Sequence, residues 1–324
     1  MRQNYNRDTL QRLADEYSLG VIHAHNLFTS GYENSNYGIE TGKGKFVLKI
    51  FEGDGVKPET VRFEAEVMDT SSRAGVKTPK LYRNKNAELT SLFADTGKLA
   101  IAMDFIDGEN AAKREISDHV AEELGEQVGK MDAALKIFKD GSLTRQNYEF
   151  DGKCFLLLEN KLDMVPSDLD KNILRSIFNL FRAIKPTFDS LPAGIIHNDV
   201  VLHNILIKGS SLAGIIDFSD MAFSPYIQNI ADPMSHIFFT HNWKPWQASL
   251  FVKAYRRYNK LSRQELGMLY ELTLVRYAVV IVAMSYWNIA YGEDADRTVW
   301  VKETYQFMLR FREMGKDSFD KLFV

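Results

Sequence analysis

The stretch Ile195-Ile196-His197-Asn198-Asp199-Val200-Val201-Leu202-His203-Asn204, with Ile215-Ile216-Asp217-Phe218 downstream, decides how this chain is read. It places two acids and one amide at the ends of apolar runs. The first part has the form H-x-D-x-x-x-x-N, in which an Asp can accept the proton of an attacking hydroxyl and an Asn can hold a magnesium ion. The second ends an apolar run in Asp-Phe, where a carboxylate would coordinate that cation. Gly194-Ile195-Ile196 reads as a buried strand entering the loop. Ile205-Leu206-Ile207 and Leu212-Ala213-Gly214-Ile215-Ile216, joined by Lys208-Gly209-Ser210-Ser211, read as a hairpin leaving it. Such a hairpin brings Asn204 and Asp217 to neighbouring strand ends, within reach of one cation. Polar groups at such positions are poor core residues unless something pairs with them. A pattern this short also occurs by chance, so the surrounding chain has to carry the same chemistry.

A chain of 324 residues is longer than one average domain, which predicts two lobes or one large domain with insertions. Its hydrophobic content of 45% and aromatic content of 12% are ample for a large core. A formal charge of −3 leaves no basic surplus for nucleic acid, so a nucleic-acid partner is not expected. Cys154 is the single cysteine, which rules out an intramolecular disulfide and a cysteine metal cage. The start, Met-Arg-Gln-Asn-Tyr-Asn-Arg-Asp, lacks the apolar run of a secretion signal. The most apolar window, 277–287, is eleven residues long and shorter than a bilayer span. A soluble cytoplasmic protein with no membrane partner is the expectation.

The front of the chain reads as strand-rich. A helix over 8–19 precedes strands over 22–28, 36–40 and 45–50, which are expected to pair antiparallel. Between the first two strands, Thr29-Ser30-Gly31-Tyr32-Glu33-Asn34-Ser35-Asn36 is small and polar. Its backbone amides, at Ser30, Gly31, Asn34 and Ser35, could lie over phosphates, although it holds one glycine only. Phe46-Val47-Leu48-Lys49-Ile50 sets a lysine inside an apolar run, where an unpaired ammonium would be costly. Lys49 therefore asks for an anion, unless it snorkels from a strand edge to water. A helix over 58–74 offers Glu59, Glu64 and Glu66; Glu64 is the chosen partner and Glu66 the second choice. The apolar strand 99–106 ends in Asp104-Phe105-Ile106, a hinge whose backbone could bond the edge of an adenine; Asp104 and Ile106 are the candidates there. Beyond it the periodicity is helical, over 116–138, 168–188, 228–239, 245–258, 263–290 and 296–313.

A strand lysine, a helix glutamate, a hinge strand, H-x-D-x-x-x-x-N and Ile-Asp-Phe in this order resemble the aminoglycoside phosphotransferase and choline kinase superfamily of protein-kinase-like enzymes, over nearly the whole chain. Gly31-Tyr32-Glu33-Asn34-Ser35-Asn36-Tyr37 and the following Gly44–Glu52 segment look most like the homoserine kinase type II and hydroxylysine kinase branch. The resemblance implies an α+β bilobal fold, with an antiparallel-sheet N-lobe carrying one main helix over 1–106 and a mostly helical C-lobe over 107–324. It implies ATP and Mg2+ as cofactors and a small-molecule hydroxyl acceptor, an amino alcohol or a hydroxy amino acid, used by a monomer or homodimer. Asp199 becomes the base, Asn204 and Asp217 the magnesium ligands, Lys49 the partner of the α- and β-phosphates and Glu64 the partner of Lys49.

The chain also departs from the pattern. Asn198 stands where small-molecule kinases of this type often have glycine and protein kinases arginine. Ser219-Asp220 follows Asp217-Phe218 without the glycine of D-F-G, and no A-P-E segment comes after, which argues against a protein kinase. Met131 replaces the histidine of a common Leu-His pair. Acceptor candidates are Asp220, Asp232 and Arg276. Asp232 could face the acceptor or cap its helix. Arg276, within the apolar 272–282 run, could bind a substrate carboxylate or pair internally with Asp232 or Asp220, the internal pair being preferred. Trp243, Trp246, Tyr286 and Trp287 could wall the pocket or belong to the core. Alternative functions are an aminoglycoside or choline-type kinase and a catalytically silent nucleotide-binding module. Lys253, Arg256, Arg257, Lys260 and Arg263 disfavour a polycationic acceptor.

Overall fold

The Asn6 side chain accepts the Thr9 amide and caps helix α1 (Arg7–Glu16), which buries Leu10, Leu13 and Ala14. The computed structural model describes residues 3–28, 34–53, 57–93, 96–241 and 243–323. After α1 come β1 (Ile22–Leu27), β2 (Ser35–Thr41) and β3 (Gly44–Ile50), then α2 (Pro58–Arg73), β4 (Thr90–Phe93) and β5 (Lys98–Asp104). The three front strands and the strand leading to the hinge join one antiparallel sheet, with β4 at its edge, in the order β1-β2-β3-β5-β4. Lys49 sits in its middle strand, opposite Asn36 on one side and Ile101 on the other. Pro58 opens α2 at a position where its missing N–H is no loss, and the helix buries Val61, Phe63, Glu64, Ala65, Val67 and Met68.

These elements form one compact unit, Met1–Gly108 with Ala213–Ile216; the second unit is Glu109–Leu212 with Asp217–Val324. The returning segment belongs to the first unit for a local reason. The Ile215 amide donates to the Lys77 carbonyl at 2.8 Å. A Cβ at Gly214 would lie 2.5 Å from Ile106 Cδ1, so a larger residue there would make the Ile106 side chain shift.

The second unit contains β6 (Glu109–Asn110), α3 (Asp118–Leu135), α4 (Lys171–Asp189), β7 (Ala193–Ile196), β8 (Ile205–Lys208), the first two residues of β9 (Ser211–Ile215), β10 (Ala222–Pro225), α5 (Gln228–Pro233), α6 (Pro245–Tyr255), α7 (Arg263–Ala290), α8 (Ala295–Met314) and α9 (Lys316–Asp320). β7 pairs with β10, and β6, β8 and β9 form a small sheet in that order. Gly125 and Gly129, one turn apart on α3, let α6 approach backbone to backbone. A Cβ at either would meet the Phe251 or Tyr255 carbonyl oxygen within 3 Å.

Three features depart from the sequence reading. Gly152–Met164 is a 3-10 segment that stacks Phe155 on Phe178 of α4, with ring centroids 4.1 Å apart. The single helix expected over 228–239 changes at Pro233, which has no N–H to continue the ladder, into a π turn over Met234–Phe238. The apolar stretch read as eleven residues is part of the 28-residue α7, capped by a reciprocal Ser262–Glu265 box. By length and composition α7 could cross a membrane, but 78% of its apolar window is buried inside the protein, which makes it a core helix.

Candidate active site

In the first unit the structure brings Lys49 and Glu64 together. Lys49 Nζ lies 2.7 Å from Glu64 Oε1, with both side chains buried, and passes 5.0 Å above the Phe51 ring. α2 turns Glu64 inward and leaves Glu66 exposed, so helical phase separates the two candidates. Around them, Ser35 is buried with its hydroxyl engaged by Gln3, accepting from the amide at 2.9 Å. The Asn34 side chain accepts the Glu52 amide at 3.4 Å. Ser30 and Gly31 lie outside the described residues. Asp104 accepts the Tyr82 hydroxyl at 2.6 Å through its side chain and donates its amide to Lys80. Ile106 packs on Gly214.

The second unit holds the loop 197–204. His197 is fully buried, packs its ring on Phe218 at 4.7 Å and accepts the Asp199 amide on Nδ1. It braces backbone. Asn198 adopts the left-handed conformation, with φ of 62°, which turns the chain so that Asp199 leaves the core. Asp199 is then gripped from two sides. Asn204 Nδ2 donates to Oδ2 at 2.6 Å, and Arg276 Nη2 lies 3.5 Å from Oδ1.

Burial raises the Asp199 pKa well above the usual carboxylate value. Asp220, Asp232 and Asp217 push the same way, and Arg276 pulls it down. The side chain keeps 26% of its surface exposed, so water moderates the rise. A carboxylate this reluctant to ionise is a better proton acceptor than a free one.

Asn204 directs its amide N–H2 at Asp199, which leaves the amide oxygen as the group that a cation could use. Asp217 sits at the end of the hairpin with φ of 66°, its Oδ1 accepting the Ser219 amide at 3.3 Å. One amide and one carboxylate oxygen are hard donors of the kind Mg2+ prefers. Among the described residues no group of three or more His, Cys, Asp or Glu could hold a metal. That donor set fits a cation carried largely by a ligand's own phosphates, and not one caged by protein.

The acceptor candidates separate. Arg276 Nε is 2.7 Å from Asp232 Oδ1, and both side chains are buried. This contact is a close, buried charge pair. Arg276 also donates through Nη1 to the Phe150 carbonyl and through Nη2 to the Asn198 carbonyl. The guanidinium is thus turned inward, in the internal pair with Asp232 that the sequence reading prefers, and its Nη groups reach the catalytic loop and the segment before it. Asp232 lies in the last turn of α5, away from the helix start, and is fully buried. Burial lifts it to about 7. Asp220 is half-buried and accepts the Tyr148 hydroxyl at 2.8 Å.

Sequence reasoning missed the network that fixes Asn198. Its side-chain oxygen accepts from Gln228 Nε2 at 2.6 Å, its Nδ2 donates to the Asp220 carbonyl at 3.0 Å, and its amide donates to Asn229 Oδ1 at 3.2 Å. Gln228 also donates to Asp151, and Asn229 to Asp132 on α3, which accepts the Tyr255 hydroxyl as well. The available signal was Gln228-Asn229 between Ile227 and Ile230, two amides in an apolar frame.

A lysine paired to a helix glutamate in one unit, and a carboxylate gripped by an amide beside a second carboxylate in the other, define a protein-kinase-like phosphotransferase. The chain belongs to the phosphotransferase enzyme family, APH, whose sequence profile matches residues 25–267. It is 23% identical over 302 residues to a hydroxylysine kinase of Bos taurus, covering 87% of this chain and 80% of the relative. It is 27% identical over 260 residues to a homoserine kinase of Bradyrhizobium diazoefficiens, covering 80% and 77%. Its fold is that of a solved amicoumacin kinase, hAmiN, in complex with AMP-PNP, Ca2+ and Ami, with a TM-score of 0.68 at 16% identity over 97% of this chain and 94% of that one. The enzyme is a small-molecule kinase with an alcohol group as acceptor.

Proposed function

We propose that the enzyme transfers the γ-phosphoryl group of ATP, in the presence of Mg2+, to the hydroxyl of a small amino-bearing metabolite of the homoserine or hydroxylysine type. The observation that carries this reading is Asp199, held between Asn204 and Arg276 amid three further carboxylates. The relatives named for hydroxylysine and homoserine support the acceptor class. The hAmiN complex with AMP-PNP and Ca2+ supports a nucleotide and a divalent cation. ATP over GTP, Mg2+ over other divalent cations, a cytoplasmic location and a monomer or homodimer belong to the same reading.

Asp199 orients the acceptor hydroxyl for in-line attack on the γ-phosphorus and takes its proton as the new P–O bond forms and the bond to the β-phosphate oxygen breaks. Asn204 fixes the Asp199 carboxylate through Nδ2 and, with Asp217, would hold Mg2+. When bound, that ion supplies positive charge to the phosphate oxygens. Within its own unit, Glu64 holds Lys49 as a cation for the α- and β-phosphates. Because the transition state is loose, positioning and charge neutralisation outweigh proton removal.

A coupled ADP-release assay comparing homoserine, hydroxylysine, choline and kanamycin tests the reading. Turnover is expected with the first two. Turnover with kanamycin alone would replace it by antibiotic phosphorylation, and no acceptor-dependent ADP release would overturn it.

A further inference from the structure

We propose that Arg145, Tyr148 and Asp220 form the subsite for the charged head of an α-amino-acid acceptor, with its carboxylate on Arg145 and its ammonium on Asp220. This inference rests on the phosphotransfer reading above and specifies its acceptor.

The geometry that carries it is the way two separate segments are tied to the residue before Asp199. Asn198 Nδ2 donates both to the Asp220 carbonyl, at 3.0 Å, and to the Phe150 carbonyl, at 3.5 Å. Asp151 is joined to the same asparagine through Gln228. The stretch before Phe150 is thereby docked beside the catalytic loop, and it carries Arg145 and Tyr148. The Arg145 guanidinium lies over the Tyr148 ring at 4.8 Å, and its Nη1 is 3.7 Å from Asp220 Oδ1. Tyr148 donates its hydroxyl to that same oxygen. Arg145 and Asp220 side chains keep 29% and 21% of their surface exposed, so they present charge to solvent beside the reacting carboxylate.

Arg276 cannot play this part, because its guanidinium is buried and directed at internal groups. Arg145 is a cation of the same type that remains open to solvent. A zwitterion can be taken up by this pair, its carboxylate on Arg145 and its ammonium on Asp220, with no change in net charge. A planar guanidinium matches a carboxylate in bidentate fashion, and stacking on the Tyr148 ring holds it in place. Asp220 adds to the negative field at Asp199, which favours a ligand ammonium nearby. Phe150, buried 5.6 Å from Tyr148 and 5.1 Å from Trp287 between ring centroids, anchors the Tyr148 ring beneath Arg145.

The test uses the full chain with saturating MgATP. Each hydroxy amino acid is assayed against the amino alcohol left by removing its carboxylate, such as homoserine against 3-aminopropan-1-ol. The native enzyme is expected to prefer the amino acid, and Arg145→Ala to collapse the ratio of the two kcat/KM values about tenfold or more, about 1.4 kcal/mol, through KM of the amino acid. Arg145→Lys restores part of the ratio. An arginine that merely holds Asp220 would lower both acceptors alike, and an unchanged ratio overturns the subsite. Asp220→Asn provides a second readout, raising KM for both amines more than for propane-1,3-diol; a uniform change overturns the ammonium half. If the native enzyme turns over both partners equally, the subsite fails and the phosphotransfer reading stands. If it phosphorylates neither although calorimetry detects MgATP binding, the acceptor class itself is wrong and the subsite falls with it.

Discussion

Lys49 and Arg276 share one signature, a single cation inside an apolar run, and each lies buried 2.7 Å from a carboxylate. They differ in what the cation organises. Lys49 is a point charge on the middle strand of a sheet, aimed by one glutamate of one helix. Arg276 is a planar fork that reaches the Phe150 and Asn198 carbonyls, Asp199 and Asp232, and so joins α7, α5, the segment before the 3-10 stretch and the catalytic loop. The same desolvation cost is thus met in one region by fixing where a positive charge points, and in the other by fixing where the catalytic carboxylate points.

The largest effect belongs to the carboxylate itself. Asp199→Asn is expected to lower kcat by about 10²–10⁴-fold, the range for a positioned general base, with MgATP affinity nearly unchanged by calorimetry. Full turnover in that variant would remove the group that Arg276 is argued to hold.

Next comes the pair comparison. Arg276→Met leaves Asp232 buried without its cation and should cost ~3–5 kcal/mol in urea unfolding, together with a fall in kcat. Removing both partners separates the two roles. Lys49→Met with Glu64→Leu should regain folding stability and stay inactive. Arg276→Met with Asp232→Leu should regain less, because the Phe150 and Asn198 carbonyls lose their donor. A fully active and stable Arg276/Asp232 double variant would break the comparison.

A smaller effect sharpens it. Asn198→Gly tolerates the φ of 62° but removes the side chain that joins Gln228 to the Asp220 carbonyl, for ~1–3 kcal/mol. Asn198→Ala loses the same bonds and adds the left-handed cost of a Cβ, about 1–2 kcal/mol more. Equal destabilisation of the two would mean that the backbone conformation at 198 relaxes.

What the sequence disclosed follows from how local the physics is. The loop 197–204 and its hairpin are contiguous, and the phase of α2 alone separates Glu64 from Glu66, so these were legible. Arg276 announced that it needed an anion but not which one, since Asp232, Asp199 and two carbonyls all answer it. The Asn198 network was invisible because its partners are remote: Asn229 reaches Asp132 across 97 residues, and Tyr255 reaches it across 123. Periodicity marks which face of α3 is buried, and it treats Asp132 on that face as an anomaly without naming the donors. The use of Gly125 and Gly129 as the α3–α6 contact likewise depends on which helix arrives.

Asp132 supplies the smallest effect, as a buried carboxylate hydrogen-bonded by neutral donors, with the Lys136 ammonium acting on it as a weaker charge. It is fully buried, and burial foremost lifts it from the ordinary carboxylate range to about 7, while the Tyr255 and Asn229 hydrogen bonds oppose the rise. The native state therefore binds more protons than the unfolded chain between the two pKa values. Stability from this group is greatest in acid, falls as pH rises through that interval at no more than ~1.4 kcal/mol per pH unit, and levels off above about 7. Asp132→Asn cannot ionise and should lose that slope. It also turns an amide N–H2 toward Asn229 or Tyr255, which makes it less stable than the native protein in acid. Thermal melts from pH 5 to 8 should show the native advantage shrinking with rising pH. Asp232, raised to about 7 as well, keeps a residual slope of the same sign in both proteins. A native advantage that stays constant across the range would mean that Tyr255, Asn229 and the Lys136 charge together hold Asp132 ionised throughout, as Arg276 favours ionised Asp232.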